Sequence, residues 1–264
     1  MFDPRLSYRA TLAILGSVFA VEFVALAISP VSRSTWLREN VLRVAGVAIL
    51  VATRHTFRFS RVSYTMIFVF ACIHEIGSHY TYSLVPYDAW SQRWLGFSID
   101  ERLGFERNQF DRAVHLLYGL LLAYPIREIV LRIVDVRGVW GYVIPLDVTM
   151  STSMIYELVE WGAAEAFGGD LGQGYLGTQG DVWDAHKDMA LASLGAAIAM
   201  GATLAINVAL QRDFAVEWAQ SLRVKHPEPL GEEVLAQRLQ PGDAPTDASG
   251  APRAPGEAWP RRAA

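Results

Sequence analysis

DMALASLGAAIAMGATLAINVAL, residues 188–210, is the stretch that decides the fold. After the opening Asp188 it has no ionisable side chain, and its polar residues are Ser193, Thr203 and Asn207. About 20 apolar residues rising ~1.5 Å each cross the ~30 Å hydrocarbon core of a bilayer. A helix this long and apolar all round has no face to offer water. Five more blocks share its character: Leu12–Ile28, interrupted by Glu22; Val41–Thr53, with Arg43; Ser63–Tyr82; Ala113–Ile126; and Val139–Phe167. None alternates with period two, so the spans are helices rather than barrel strands.

Composition agrees. The 264 residues are 52% hydrophobic and 19% charged, against about 25% charged in soluble domains. A net charge of −4 argues against a nucleic-acid partner, which usually needs a basic face. A single cysteine, Cys72, excludes an internal disulfide or thiolate cluster. The sequence therefore predicts an all-α polytopic membrane bundle of about six spans within residues 1–210. Phe214, Trp218 and Leu222, spaced by four, predict a short interfacial amphipathic helix over 211–225. Residues 226–264 hold seven of the twelve prolines and predict a disordered cytoplasmic tail.

Arginine placement orients the spans. Arg54, Arg58 and Arg61 follow the second block, Arg127, Arg132 and Arg137 the fourth, and Arg212, Arg223 and Lys225 the sixth. The loop after the fifth block carries no Lys or Arg as far as Asp184, and the loop after the third mixes acids with arginines. Both termini are thus expected in the cytoplasm, although Arg33 and Arg38 would then lie outside. Arg5, Arg9 and Ala25-Leu26-Ala27 resemble a signal peptide, but the apolar run is long for one and predicts an uncleaved anchor. Arg43 is expected to snorkel toward a headgroup.

Ionisable groups inside spans are costly and call for a partner or a task. His74, Glu75 and His79 lie near the end of the third span, Asp111 and His115 at the start of the fourth, Glu157 and Glu160 late in the fifth, and Asp181, Asp184 and Asp188 at the entry to the sixth. With alternating helix directions, all four sets fall at one depth, in the outer leaflet. Glu75 and His79, Asp111 and His115, and Asp184 and Asp188 are four apart, and Glu157 and Glu160 three, so each pair shares a helix face. So many carboxylates packed together without cations would repel one another. One or two divalent metal ions remove that cost, much as in di-metal helical bundles. The metal set expected is His74, Glu75, His79, Asp111, His115, Glu157, Asp184 and Asp188, with Glu160 or Asp181 free to act as general base. Alternatively, Glu75, Asp111 and Glu157 pair with Arg107, Arg112 or Lys187 in a structural ion network, and Asp181 or Asp184 caps the sixth helix. Phe110-Asp111-x-x-x-His115 also echoes Trp183-Asp184-x-x-x-Asp188, a trace of a tandem hairpin repeat.

The outer loops add context. Residues 168–180 read GGDLGQGYLGTQG, a backbone able to approach an anion, to move as a lid, or simply to turn. Tyr80, Tyr82, Tyr87, Trp90 and Trp94 form an aromatic group suited to the lipid interface or to an amphiphile's path. Glu165 and Asp170 are expected as solvated loop residues.

HEIGSHYTYSLVP (74–86), RNQFDRAVH (107–115), YELVEW (156–161) and YLGTQGDVWDAHKDM (175–189) resemble the bacterial inner-membrane family typified by YjdF, over roughly residues 40–210. The resemblance implies a multi-pass protein of the cell inner membrane and names no reaction. Its motif positions fall on His74, Glu75, His79, Asp111, His115, Glu157, Glu160, Asp181, Asp184 and Asp188, whereas His186 stands where relatives are expected to carry another polar residue.

Three functions remain open. The first is a metal-dependent membrane enzyme, with Zn, Mn or Fe activating water for hydrolysis of a lipid or lipid-linked substrate. The second is a proton- or cation-coupled transporter using the same residues as a pathway. In the third, the polar cluster only locks the helices together.

Overall fold

A computed structural model describes residues 7–167, 179–211 and 213–225. Described residues form helices and no strands. Helices α1 (Tyr8–Leu26), α2 (Arg33–Thr53) and α3 (Arg61–Tyr80) each begin at a serine, because Ser7, Ser32 and Ser60 accept the backbone N–H of Ala10, Thr35 and Ser63. Two short helices follow, α4 (Tyr87–Leu95) and α5 (Ile99–Leu103). Next come α6 (Phe110–Ile129), extended by a π turn over Val130–Val134, then α7 (Trp140–Phe167), α8 (Asp184–Leu210) and α9 (Phe214–Ser221). Residues through Ser221 make one unit, and the expected tail lies outside the described residues.

The six long helices alternate in direction, as paired contacts at both ends establish. At one end Tyr8 of α1 donates to Phe59 O just before α3, and Tyr142 of α7 accepts from Asn207 late in α8. At the other, Trp36 of α2 meets Glu75 of α3, and Asp111 and Asp188, in the opening turns of α6 and α8, lie together. By length and apolarity, Tyr8–Leu26, Phe110–Val134 and Asp184–Leu210 are able to cross a membrane. Their neighbours α2, α3 and α7 are as long, but carry more charge or polarity.

The parallel pair α6 and α8 is the centre of the bundle. Gly119 faces the backbone of Ala192 and Ala196, and Gly195 faces Leu116 and Leu120. No side chain fits between them, so backbone meets backbone, the close approach that small residues permit in membrane helices. Around this crossing Ala123, Ala196, Ala199 and Met200 form the buried core, with Leu120 and Leu146 packed on it. The buried stripe of α8 starts as Asp184 and Asp188 and continues as Ala192, Gly195, Ala196, Ala199 and Met200. One helix face therefore changes from ligand-type chemistry to packing within two turns.

The opposite end is stitched by polar links. Glu128 on α6 accepts from Ser60 N and from Ser63 Oγ at 2.6 Å, putting a carboxylate at the positive N-terminus of α3. Arg132 pairs with Glu128 at 2.7 Å. Helix α9 docks beside the start of α7, where Glu217 accepts from Gly138 N and Ser221 O from the Trp140 indole.

Several boundaries differ from the sequence reading for local reasons. Helix α2 starts eight residues before Val41 because Ser32 caps it, and α8 starts at Asp184 rather than Asp188. The loop after α3 holds two helices, α5 being started by Ser98, which accepts from Glu101 N, and closed by Gly104. Glu165 lies exposed on the last turns of α7, not in a loop. Arg43 does not snorkel: its side chain is 8% exposed and turns inward to Glu75.

Candidate metal centre

Helix starts and helix ends deliver polar side chains to the same end of the bundle. Asp111 and His115 come from the first turns of α6, Asp188 from the second turn of α8, and Glu157 from the C-terminal half of α7. One ligand atom each from Asp111, His115 and Asp188 lies within 4.8 Å of the other two. His115 Nε2 is 3.8 Å from Asp111 Oδ1 and 3.5 Å from Glu157 Oε1. Asp188 is 2% exposed and Glu157 9%. Asp188 Oδ1 and Glu157 Oε1 are buried, and neither receives a hydrogen bond from any described residue. Leaving such groups unpaired costs at least ~1–3 kcal/mol each, more when charged. Oxygen and imidazole donors without thiolate suit Zn, Mn or Fe. Glu39 of α2 and Glu160 of α7 lie close enough to Asp111 to sense its charge, and Glu39 reaches the Tyr156 hydroxyl at 3.4 Å.

His74 and Glu75 are engaged elsewhere. Arg43 contacts Glu75 Oε2 and His74 Nδ1, and donates to Ser78 Oγ at 2.8 Å and Asn40 Oδ1 at 2.6 Å. Trp36 donates its indole N–H to the other Glu75 oxygen at 2.8 Å. Tyr82 O–H lies 2.8 Å from His74 Nδ1. It gets there because Thr81 and Tyr82 both adopt the left-handed conformation and fold the ring over Gly77, where a Cβ would sit 2.5 Å from the ring. His79 Nδ1 is 2.7 Å from Leu26 O; a carbonyl only accepts, so that nitrogen carries the proton and closes the end of α1.

Asp181 and Asp184 face the arginines. Arg107 Nη2 is 2.7 Å from Asp184 Oδ1, and Arg112 contacts Asp181 while lying 3.4 Å from Asp184. Lys187 donates to Asp181 at 2.6 Å, and the Trp183 N–H adds another bond. These donors hold the Asp181 carboxyl down at about 2. Glu75 finds its cation in Arg43, not in Arg107, Arg112 or Lys187. Gln179, at the end of the glycine-rich loop, exchanges two hydrogen bonds with the Asn108 backbone, and residues 168–178 lie outside the described residues. The structure thus gathers Asp111, His115, Asp188 and Glu157, and joins His74 and Glu75 to an α2 network built on Trp36, Asn40 and Arg43.

Residues 11–208 match the family described as "Predicted membrane protein (DUF2238)". The chain belongs to this family. Among DUF2238 relatives, the Inner membrane protein YjdF of Escherichia coli (strain K12) is 39% identical over 174 residues, covering 64% of this chain and 77% of that protein. No solved structure matches the chain. Like its DUF2238 relative, this is an integral protein of the inner membrane, and the family match over residues 11–208 takes in every residue of the candidate centre.

Proposed function

We propose that this DUF2238 protein crosses the inner membrane six times, with both termini in the cytoplasm, and holds one or two divalent cations at its outer end as a metal-dependent enzyme. The observation that carries the reading is the Asp111, His115 and Asp188 convergence within 4.8 Å, joined by a buried Glu157 oxygen that lies 3.5 Å from His115 and receives no hydrogen bond from any described residue. In this orientation Arg54, Arg58, Arg61, Arg127 and Arg132 lie on the cytoplasmic side, as the positive-inside rule asks. Residues 211–225, with α9, would then rest in the cytoplasmic headgroup layer.

A cation bound there would polarise a substrate oxygen or activate water. The chain's own residues hold it: Asp111, His115 and Asp188 as ligands and Glu157 as the fourth. Asp184 is shared with Arg107, so it orients the mouth of the site and is at most an outer partner of the metal. Glu160 is the better general base, because a carboxylate held at about 2 like Asp181 is too weak a base near neutral pH. His74, Glu75 and His79 would then set helix positions behind the ligands. A site opening among membrane helices favours hydrolysis of a lipid or lipid-linked substrate. Elemental analysis of the purified protein beside His115→Ala tests the cation, and lipid turnover with and without chelator tests the chemistry. Wild-type protein with no bound metal, or unchanged turnover in chelator, would refute the proposal.

One observation favours a second reading, a proton- or cation-coupled transporter. Thr149, Ser153 and Glu157 are buried at four-residue spacing along α7, and Ser153 Oγ has no hydrogen-bond partner among the described residues. Such a file leads inward from the centre. Solute flux in proteoliposomes that Ser153→Ala or Asp188→Asn abolishes would establish it over hydrolysis.

A further inference from the structure

Helix α7 has two opposite faces. Pro145, Thr149, Ser153 and Glu157 recur every four residues, are buried, and point into the bundle. The other face is exposed from end to end and carries Trp140, Val143, Asp147, Met150, Met154 and Trp161. Trp140, Asp147, Met154 and Trp161 are spaced by seven, with Val143 three after Trp140 and Met150 three after Asp147. This is the a and d pattern of a helix-packing seam. The two tryptophans stand 21 residues apart. At ~1.5 Å per residue that is ~31 Å, the depth of a hydrocarbon core, whose two surfaces tryptophan favours. Asp147, seven residues from Trp140, then lies about 10 Å inside the hydrocarbon. This depth rests on the six-span reading proposed above. Among the described residues, the other ionisable side chains of the six long helices turn at least partly inward or lie in an end turn. Asp147 is exposed, and no described residue bonds to it or pairs with it. Lipid tails offer a carboxylate no donor, so lipid alone is a poor cover for this face.

We infer that this face of α7 is where two copies of the chain meet in the membrane, with Asp147 hydrogen-bonded to the partner subunit's Asp147. Copies inserted with one topology close as a pair only about an axis along the membrane normal. Two α7 helices on that axis run parallel and bring identical residues to identical depth. A carboxyl O–H on one Asp147 then donates to the carboxylate of the other, so a second copy supplies the missing donor by symmetry. A helix of another protein would need its own donor at that depth. The seven-residue repeat suits a parallel, left-handed crossing, and one polar residue in such a seam sets register and partner number. Ser153 and Glu157 lie on the buried side of α7, so each copy keeps its own centre.

The test uses the full chain in native membranes, with its one cysteine removed as Cys72→Ser and new cysteines placed one at a time. Met154→Cys, within the seam, is expected to give a disulfide-linked dimer under mild copper-phenanthroline oxidation. Ile155→Cys, exposed but about 100° further round the helix, is expected to give none and to resist a water-soluble maleimide. In maltoside solution, light scattering should report a dimer for the wild-type chain. Asp147→Leu, on an exposed face, should keep the melting temperature and raise the dimer dissociation constant roughly tenfold, the loss of one charge-assisted hydrogen bond. Asp147→Asn, which still has a donor and an acceptor, should remain a dimer. A monomeric wild type, a Met154→Cys link to a protein of another mass, equal linking at 154 and 155, or an Asp147→Leu dimer as tight as wild type overturns the inference. With Ile155→Cys protected, each of those results leaves the six-span reading standing. Maleimide labelling of Ile155→Cys takes α7 out of the lipid and overturns both.

Discussion

Alanine at Gly195 separates the packing argument from ordinary helix chemistry. A Cβ there would stand 2.1 Å from Leu116 O and 2.7 Å from Leu120 N. Ordinary contact begins at 3.4 Å, so α6 and α8 must part by about 1.3 Å, and both obstructing atoms are backbone. Overpacking of this kind costs about 1–3 kcal/mol, against at most ~1 kcal/mol gained from replacing glycine inside a helix. Gly201, further along the same helix, has nothing within 4 Å of its Cβ position. Gly201→Ala therefore collects the propensity gain with no clash. At roughly 2–4 °C per kcal/mol for a domain of this size, Gly195→Ala should melt several degrees below Gly201→Ala in detergent. The same parting carries Asp188 away from Asp111 and His115, so bound metal should fall with the melting temperature. Equal melting of the two variants would refute the backbone contact and the account of the core built on it.

Other outcomes follow from the polar links. Arg43→Met leaves Glu75 buried without its cation and should destabilise the protein by about 3–5 kcal/mol; adding Glu75→Gln should recover part of that, read by thermal unfolding of the single and double variants. Glu128→Ala removes the acceptor of Ser60 N and Ser63 Oγ and should cost about 1–2 kcal/mol, seen as faster amide exchange in the first turn of α3. Asp181 has its folded pKa depressed to about 2, so its stabilising contribution is complete above the unfolded value of ~3.9 and is lost as pH falls through about 2. Asp181→Asn should therefore melt below wild type at pH 6, and the gap should close between about pH 4 and pH 2.

Apolar runs made the helical membrane fold legible, and four-residue spacing made Asp111 with His115 legible as one face. Other elements were hidden for physical reasons. Helix α2 carries Trp36, Glu39 and Asn40 in its first turns, which hydropathy reads as loop; the signal is Ser32 as a cap ahead of Trp36. Arg43 is a lone charge in an apolar block, and only the fold brings it to Glu75, 32 residues away in sequence. Ser98-x-x-Glu101 followed by Gly104 is a capping-box and left-handed-cap signature that would have located α5. Depth alone also did not divide the acids. Asp184 and Asp188 share a face, yet one turn of helix puts Asp184 beside Arg107 and Asp188 beside His115.

Because nothing but backbone separates α6 from α8 at Gly119 and Gly195, no rotamer change can slide one past the other. Asp111, His115 and Asp188 therefore stand on two helices whose mutual register is fixed. Glu157 rides instead on α7, whose hydrogen-bond ladder Pro145 interrupts three turns earlier. If the proposed cation is bound there, three of its ligands would stand on a fixed pair of helices and the fourth on α7, so rotation of α7 alone would be enough to loosen the hold.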